Sequence, residues 1–409
     1  ISQSLNAFQQ QLNQLRAEKT LLEERIANYP TEELFTRFPQ AYHEQQQELF
    51  ELSWQYLQQE ALRRKKEVIN SLSIYLSVIG DHYNSDAQGR FARNGAEILR
   101  EISLIFPVFT STLQSVRNLF PYPDLNGIDC TLVDEAGMIP LHQVFPVLVR
   151  SKKAVLVGDP LQLEPIIPLS SSLIEQYYEK SFQQRGLSDS DFERYSPTSI
   201  YTATAYHRAA GATGELGDLG ESILLNEHYR CVPSIIRLCR ELCQYDLMIK
   251  TTDKPSKLGA NLMAYPVAGV IENEINLQEI EMIDRLIAYI LDKGYSLADI
   301  GVISPYRAQV AGLSETLEKY DLNWVKKGVG TVHTFQGGQK PVIIFSARQC
   351  REEDGLRFIN QRPNLLYTAI SRAQELFIMV GNWERLKGEG GYLGKVVNYI
   401  EQSGEIREL

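Results

Sequence analysis

Two textures of hydrophobic and polar positions divide the chain. Over the first hundred residues, apolar side chains recur every three or four positions on a background rich in Gln, Glu and Arg. Leu5, Phe8, Leu12, Leu15, Leu22 and Ile26 form one such seam, which predicts a helix of coiled-coil character ending at Pro30. Phe50, Trp54, Leu57, Ile69, Leu72 and Leu76 form a second, predicting helix over roughly 41–79. The two stretches would pair as an antiparallel arm, and 80–89 reads as a polar turn.

After Ile102 the pattern changes to short apolar runs that end in polar loops. These are Ile105–Phe109, Cys130–Val133, Ala154–Val157, Gly269–Glu272, Ile300–Ile303, Val342–Phe345 and Leu376–Val380. Helical periodicity separates most of them, as over Leu277–Leu291 and Ala308–Leu317. Strands alternating with helices imply an α/β architecture with parallel sheets. Pro197–Gly220 is rich in small residues and glycine and reads as a linker. The expected divisions are therefore a helical arm over 1–101, a first α/β lobe over 102–215 and a second over 216–409.

Composition narrows the picture only a little. A chain of 409 residues holds two or three domains, and its 44% hydrophobic and 22% charged residues are ordinary for a globular protein. No apolar run reaches about 18 residues, so no membrane span is predicted. The opening Ile1-Ser2-Gln3-Ser4 carries no secretory pattern and no Met, which suggests a fragment. Cys130, Cys231, Cys239, Cys243 and Cys350 form no CxxC pair and read as free thiols of a cytoplasmic protein. The net charge of −10 disfavours bulk electrostatic capture of nucleic acid, though not a grip along one narrow track.

Chemistry gathers first at Thr131-Leu-Val-Asp134-Glu135-Ala136-Gly137. An apolar strand delivers two carboxylates at its carboxyl end, where open α/β sheets bind ligands. In a nucleotide hydrolase the first, Asp134, holds Mg²⁺ through water, and Glu135 orients or deprotonates the attacking water. Taken alone, an Asp-Glu after an apolar run is more often a plain strand end. A second strand, Ala154–Val157, leads into Gly158-Asp159-Pro160-Leu161-Gln162-Leu163-Glu164-Pro165. There Gln162 can sense a γ-phosphate by hydrogen bonding, and Asp159 can support the metal site.

These segments resemble motifs II and III of superfamily 1 nucleic-acid helicases. Four further blocks follow in the family's order: Leu225–Arg230, Ile300–Gln309, Gly330–Gly337 and Tyr367–Ala373. Together they span about Phe106 to Asn382. The resemblance implies two RecA-like lobes with parallel sheets, the first incomplete, beside the N-terminal helical arm. It implies ATP and Mg²⁺ as cofactors and single-stranded DNA or RNA as partner. Arg230 and Arg372 would reach from the second lobe to a nucleotide held on the first and stabilise transition-state charge. Gln336, Gly337 and Gln339 would serve the nucleotide side of the cleft, Gln336 coupling it to the nucleic-acid track. Thr110, Ser111 and Thr112 would hold backbone phosphates from the first lobe; by composition alone that cluster is a helix cap. Tyr306, Arg307, Thr331, His333 and Thr334 would do the same from the second. The arm is either a clamp or surface for a protein partner, or a plain hairpin.

Only about seventy residues separate Arg230 from Ile303, too few for a large inserted domain. Within the family this spacing resembles the 5′→3′ branch, which holds the nonsense-mediated-decay helicase. Three departures stand out. The chain has no G-x-x-x-x-G-K-[ST] loop; Gly388–Val396 has the wrong spacing. The loop is expected upstream of Ile1, so the chain by itself should scarcely hydrolyse ATP. Met138 and Gln339 stand where the family often has Gln and Glu. Two other readings compete with a helicase: a remodelling ATPase without unwinding, and a degenerate nucleic-acid-binding scaffold.

Overall fold

A computed structural model describes residues 19–20, 31–80, 84–120, 127–165, 170–188, 190, 204–212, 218–269, 271–335, 338–348, 357–360, 362–388 and 390–409. The chain divides into two compact units, Ile1–Asp124 and Leu125–Leu409.

The first unit is helical: α1 (Thr31–Arg63), α2 (Lys65–Ile79) and α3 (Ser85–Ile102). Of the expected seam Leu5–Ile26, only Lys19 and Thr20 are described, helical and exposed; the rest lies outside the described residues. Asn84 caps α3 by accepting the Ala87 N–H at 3.0 Å, so the helix begins inside the stretch expected to be a turn. Ala87, Phe91, Ile98, Leu99 and Ile102 lie at helical spacing and bury one face of α3 with Ile74 of α2. Glu101, buried on the same helix, pairs with Arg64 at the break between α1 and α2. Ile105–Phe109 is not a strand, and Ile105, Phe106 and Val108 are exposed. An apolar run becomes a strand only where a neighbour takes its hydrogen bonds, and no strand is described in this unit.

The second unit holds a six-stranded, wholly parallel sheet. Its strands are β5 (Leu262–Pro266), β8 (Ile300–Ser304), β9 (Val329–Thr331), β10 (Lys340–Ser346), β11 (Ala373–Gly381) and β12 (Glu405–Ile406), in the order β12-β5-β11-β10-β8-β9. Alternate side chains feed two cores. Ile343 and Phe345 of β10 pack with Phe377, Met379 and the helices Pro233–Cys243 and Gly391–Ser403. Val342 and Ile344 face the other way, toward Ile378 and the helices Leu277–Asp292 and Arg307–Leu317. A strand covered on both faces must be apolar at every position, which is why these runs were legible as continuous.

Smaller pairs complete the unit. β1 (Thr131–Val133) and β2 (Ala154–Leu156) are parallel, as are β3 (Glu227–His228) and β4 (Met248–Ile249). β6 (Ile271–Glu272) and β7 (Ile275–Asn276) form an antiparallel hairpin where one longer strand was expected. Part of the expected linker is ordered as a helix, Ala205–Ala210, capped by Thr204. It is tied to the chain after Glu135 by Ala205 N–H donating to the Ile139 carbonyl at 2.8 Å.

Candidate active site

The parallel register of β1 and β2, with Val133 opposite Leu156, brings their two carboxyl-end loops together. Asp134 is exposed and its Oδ1 accepts the Glu135 N–H at 2.8 Å. Glu135 is half-buried in the left-handed region at φ 55°, a conformation that is costly for a side chain with a Cβ and that clusters at functional sites. Behind it the loops touch backbone to backbone. A Cβ on Gly137 would lie 2.5 Å from the Asp159 carbonyl oxygen, and one on Gly158 would lie 2.7 Å from the nitrogens of Ala136 and Gly137. Both positions must be glycine for the acidic loop to seat against the Asp159 loop.

Residues far along the chain meet this pair of loops. Asp159 Oδ1 accepts from Leu161 N–H at 2.9 Å and from the Tyr245 hydroxyl at 2.6 Å. Its Oδ2 accepts from the Tyr367 hydroxyl at 2.9 Å and Gln162 Nε2 at 3.3 Å. Asn364 Nδ2 donates to the carbonyls of Pro160, at 3.2 Å, and Gln162, at 2.6 Å, while Arg362 pairs with Glu164 at 3.1 Å. Among the described residues Arg372, 3% exposed, donates to neutral acceptors: Thr368 O at 3.2 Å, Gly338 O at 3.3 Å and Gln162 Oε1 at 3.4 Å.

Electrostatics single out the same place. Burial lowers the Arg372 pKa, the neighbouring Arg230 adds to the effect, and Glu135 opposes it. Arg230 is exposed and lies just after β3, inside the turn that His228 Nε2 closes by accepting the Cys231 N–H at 2.8 Å. Two guanidinium groups close enough to repel, one of them buried among neutral acceptors, suit a polyanion such as a triphosphate. For a divalent cation the fit is narrower. Among the described residues no group of three or more His, Cys, Asp or Glu can hold a metal, so an all-protein cage is not what they build. A single exposed carboxylate fits Mg²⁺, which keeps waters and takes its other ligands from substrate phosphates.

The expected nucleic-acid residues fall into two groups. In the second unit, Ser304 at the end of β8 stands opposite Thr331 of β9, so Tyr306, Arg307, Thr331, His333 and Thr334 share one sheet edge. Thr334 donates its hydroxyl to Thr331 O at 2.8 Å. His333 is held below the usual imidazole pKa by burial and by Arg307. In the first unit Thr110, Ser111 and Thr112 are exposed; Thr112 Oγ1 donates to Ser115 Oγ at 3.1 Å and caps no backbone N–H. Gln336 and Gly337 lie outside the described residues. Gln339 is exposed beside Gly338, the residue whose carbonyl receives Arg372.

Tyr245, Asn364 and Arg348 did not stand out in the sequence, and Tyr367 stood in the block Tyr367–Ala373 without a role of its own. Asn364, Tyr367 and Ser371 carried a signal, since their i, i+3, i+7 spacing puts them on one helical face with Arg372 next to it. Arg348 had none: its guanidinium lies 3.8 Å from the centre of the Tyr306 ring, a contact across forty-two residues.

Parallel α/β sheets, with two carboxylates and a glutamine in the loops after β1 and β2 and two arginines brought to them from elsewhere in the chain, have the make-up of the P-loop nucleoside-triphosphatase class. Two family models, each described as an AAA domain, match residues 2–169 and 214–384. Human RNA helicase Mov10l1 is 32% identical over 284 residues, covering 61% of this chain and 22% of that protein. Helicase sen1 of Schizosaccharomyces pombe is 26% identical over 294 residues, 67% of this chain and 16% of its own length. The Arabidopsis thaliana homolog of regulator of nonsense transcripts 1 is 25% identical over 287 residues, 66% and 21%. The chain belongs to the superfamily 1 helicases, in the group that includes the regulators of nonsense transcripts. It spans between 16% and 22% of the length of these three relatives. Among solved structures, an arterivirus nonstructural protein 10 helicase with DNA is similar at 14% identity and a TM-score of 0.33, over 65% of this chain and 43% of that one. Among the described residues no helix is long and apolar enough to cross a membrane.

Proposed function

We propose that this chain is the motor part of an ATP-driven translocase or helicase that moves 5′→3′ on single-stranded DNA or RNA in the cytoplasm. The observation that carries the reading is the meeting of Glu135, Gln162, Arg230 and Arg372 around the paired loops after β1 and β2. In the proposed reaction the γ-phosphoryl group passes to water, and negative charge spreads over its equatorial oxygens. Arg230 and Arg372 meet that charge; by general experience with such arginines, each contributes on the order of a thousandfold in rate. Gln162 hydrogen-bonds the same group, Glu135 takes the proton of the attacking water, and Asp134 would hold Mg²⁺ through water. The metal, when bound, neutralises the phosphate oxygens. Residues 102–215 and 216–409 act as the two lobes, and the edge with Tyr306, Arg307, Thr331, His333 and Thr334 grips the sugar-phosphate backbone. Gln336, Gly337 and Gln339 link that edge to the nucleotide, and Thr110–Thr112 contact backbone from the first lobe. The 5′→3′ direction rests on the short span between Arg230 and Ile303. The arm exposes Phe50 and Trp54, apolar surface suited to a protein partner.

ATP hydrolysis with and without single-stranded nucleic acid, on this chain and on one extended upstream of Ile1, tests the reading. Turnover in the extended form alone, abolished by Glu135→Gln, is expected. An extended, folded protein with no turnover refutes it and favours a scaffold.

A further inference from the structure

Within this proposed motor, one contact decides more than its size suggests. A glutamine amide has a donating end and an accepting end of nearly the same shape, so its orientation is set by what flanks it. Gln162 lies between a carboxylate and a guanidinium: Nε2 donates to Asp159 Oδ2 at 3.3 Å, and Oε1 accepts from Arg372 at 3.4 Å. Turned over, the amide would set its oxygen against the carboxylate and its NH₂ against the guanidinium, two repulsive contacts in place of two attractive ones. Asp159 therefore determines which end of Gln162 faces the arginine.

Asp159 is itself held from outside its loop. The Tyr245 and Tyr367 hydroxyls donate to its two oxygens at 2.6 and 2.9 Å. The two rings are 8% exposed each and meet edge to face, with centroids 6.3 Å apart. Tyr367 comes from the helix that ends beside Arg372, and Tyr245 follows the helix Pro233–Cys243, close behind Arg230 in the chain. An apolar core has no use for either hydroxyl. A phenylalanine fills the same space, and among the described residues each hydroxyl's hydrogen bond is to Asp159.

We infer that Tyr245 and Tyr367 are positioning residues for nucleotide turnover, acting through Asp159 to keep the Gln162 amide oxygen on Arg372. Asp159 then serves to orient Gln162 and is not itself a ligand of the metal. Loosening either phenol frees the carboxylate to rotate, and the amide loses the partner that sets its direction. Arg372 keeps its two backbone acceptors but loses the one on the loop after β2. The cost falls on the step in which charge develops, not on holding the nucleotide.

The inference rests on the motor reading, and a double-mutant cycle separates the two. Tyr245→Phe, Tyr367→Phe, Gln162→Ala and both Tyr/Gln double variants are made in the chain extended upstream of Ile1. Each is measured for ATP turnover with saturating single-stranded nucleic acid and for equilibrium affinity toward a non-hydrolysable ATP analogue. Each Tyr→Phe change should lower kcat roughly tenfold, the scale of one lost hydrogen bond to a charged acceptor, with analogue affinity kept within about twofold. In the Gln162→Ala background neither should lower kcat further. Additive losses, or a loss of analogue affinity as large as that in kcat, overturn the inference while leaving the motor reading intact. A wild type with no nucleic-acid-stimulated hydrolysis overturns both. The two tyrosines give independent arms, so a Tyr245→Phe chain that fails to fold leaves the Tyr367 cycle to decide.

Discussion

Glu279 offers the sharpest quantitative test of the structure. It lies in the first turn of the helix Leu277–Asp292, wholly buried against the sheet. Oε1 accepts from Asn276 Nδ2 at 3.1 Å; Oε2 accepts from the Ser346 hydroxyl at 2.6 Å and the Arg348 N–H at 3.0 Å. Burial dominates and pushes the carboxyl from 4.5 up to about 7, against the opposing pull of Ser346, Arg348 N–H and Asn276. The folded protein thus holds this proton over a range in which the unfolded chain has released it. Stability from the group is complete below pH 4.5 and is lost as pH rises through about 7. At about 1.36 kcal/mol per pH unit, the loss is roughly 3 kcal/mol. Glu279→Gln has no proton to lose, and any fixed cost of its amide is the same at every pH. The wild-type-minus-variant difference in unfolding free energy should therefore fall by roughly 3 kcal/mol between pH 4.5 and 7.5, and stay level above that. The difference is needed because buried His207, lowered to about 4, has the opposite slope and gains stability as pH rises from about 4 to 6.5. Urea unfolding at half-unit pH steps measures it, with the fluorescence of buried Trp324 and Trp383 reporting the same compact unit. A difference that stays flat across this range refutes the assignment.

Three further outcomes are expected. Gly158→Ala sets a Cβ 2.7 Å from two backbone nitrogens, which cannot move aside as a side chain can. It should cost about 1–3 kcal/mol of stability and on the order of a hundredfold in kcat, whereas Gly388→Ala, with nothing within 4 Å, should change neither. Arg372→Lys keeps the charge but replaces a fork that reaches three acceptors with one ammonium; hydrolysis should fall on the order of a thousandfold, and retention of a tenth or more of the rate would show that charge alone suffices. Among the described thiols, exposed Cys130 should react with a thiol reagent in the native protein. Cys231, which burial pushes up to about 12, and the equally buried Cys239 and Cys243 should react only after unfolding, as counted by absorbance with and without urea.

How far the fold could be read in advance differed from strand to strand. β8, β10 and β11 lie inside a parallel sheet, and their unbroken apolar runs announced them. Leu262–Pro266 is equally buried, but Leu-Met-Ala-Tyr-Pro has no β-branched residue and did not stand out as a strand. Ile105–Phe109 reads as an apolar run but carries Pro107 at its centre, which has no N–H to give to a ladder, and no strand is described there. The linker over 197–220 looked featureless because glycine and small residues mark turns. Within it Thr204 nonetheless caps a helix whose first N–H docks on Ile139.

Periodicity and side-chain type were sufficient for the alternation of elements, the α/β class and the inventory of carboxylates, amides and arginines. These depend on spacing within a few residues and on chemistry that each residue carries with it. Which groups meet is another matter. The hydroxyls on Asp159 come from residues 86 and 208 positions away, and Arg372 reaches Gln162 across 210. Nor could the order of residues reveal that Glu279 holds its proton to about pH 7, or that the Gln162 amide turns its oxygen toward an arginine. A pKa and an amide's direction are properties of burial and of the groups in contact, and these come into being only when distant segments pack.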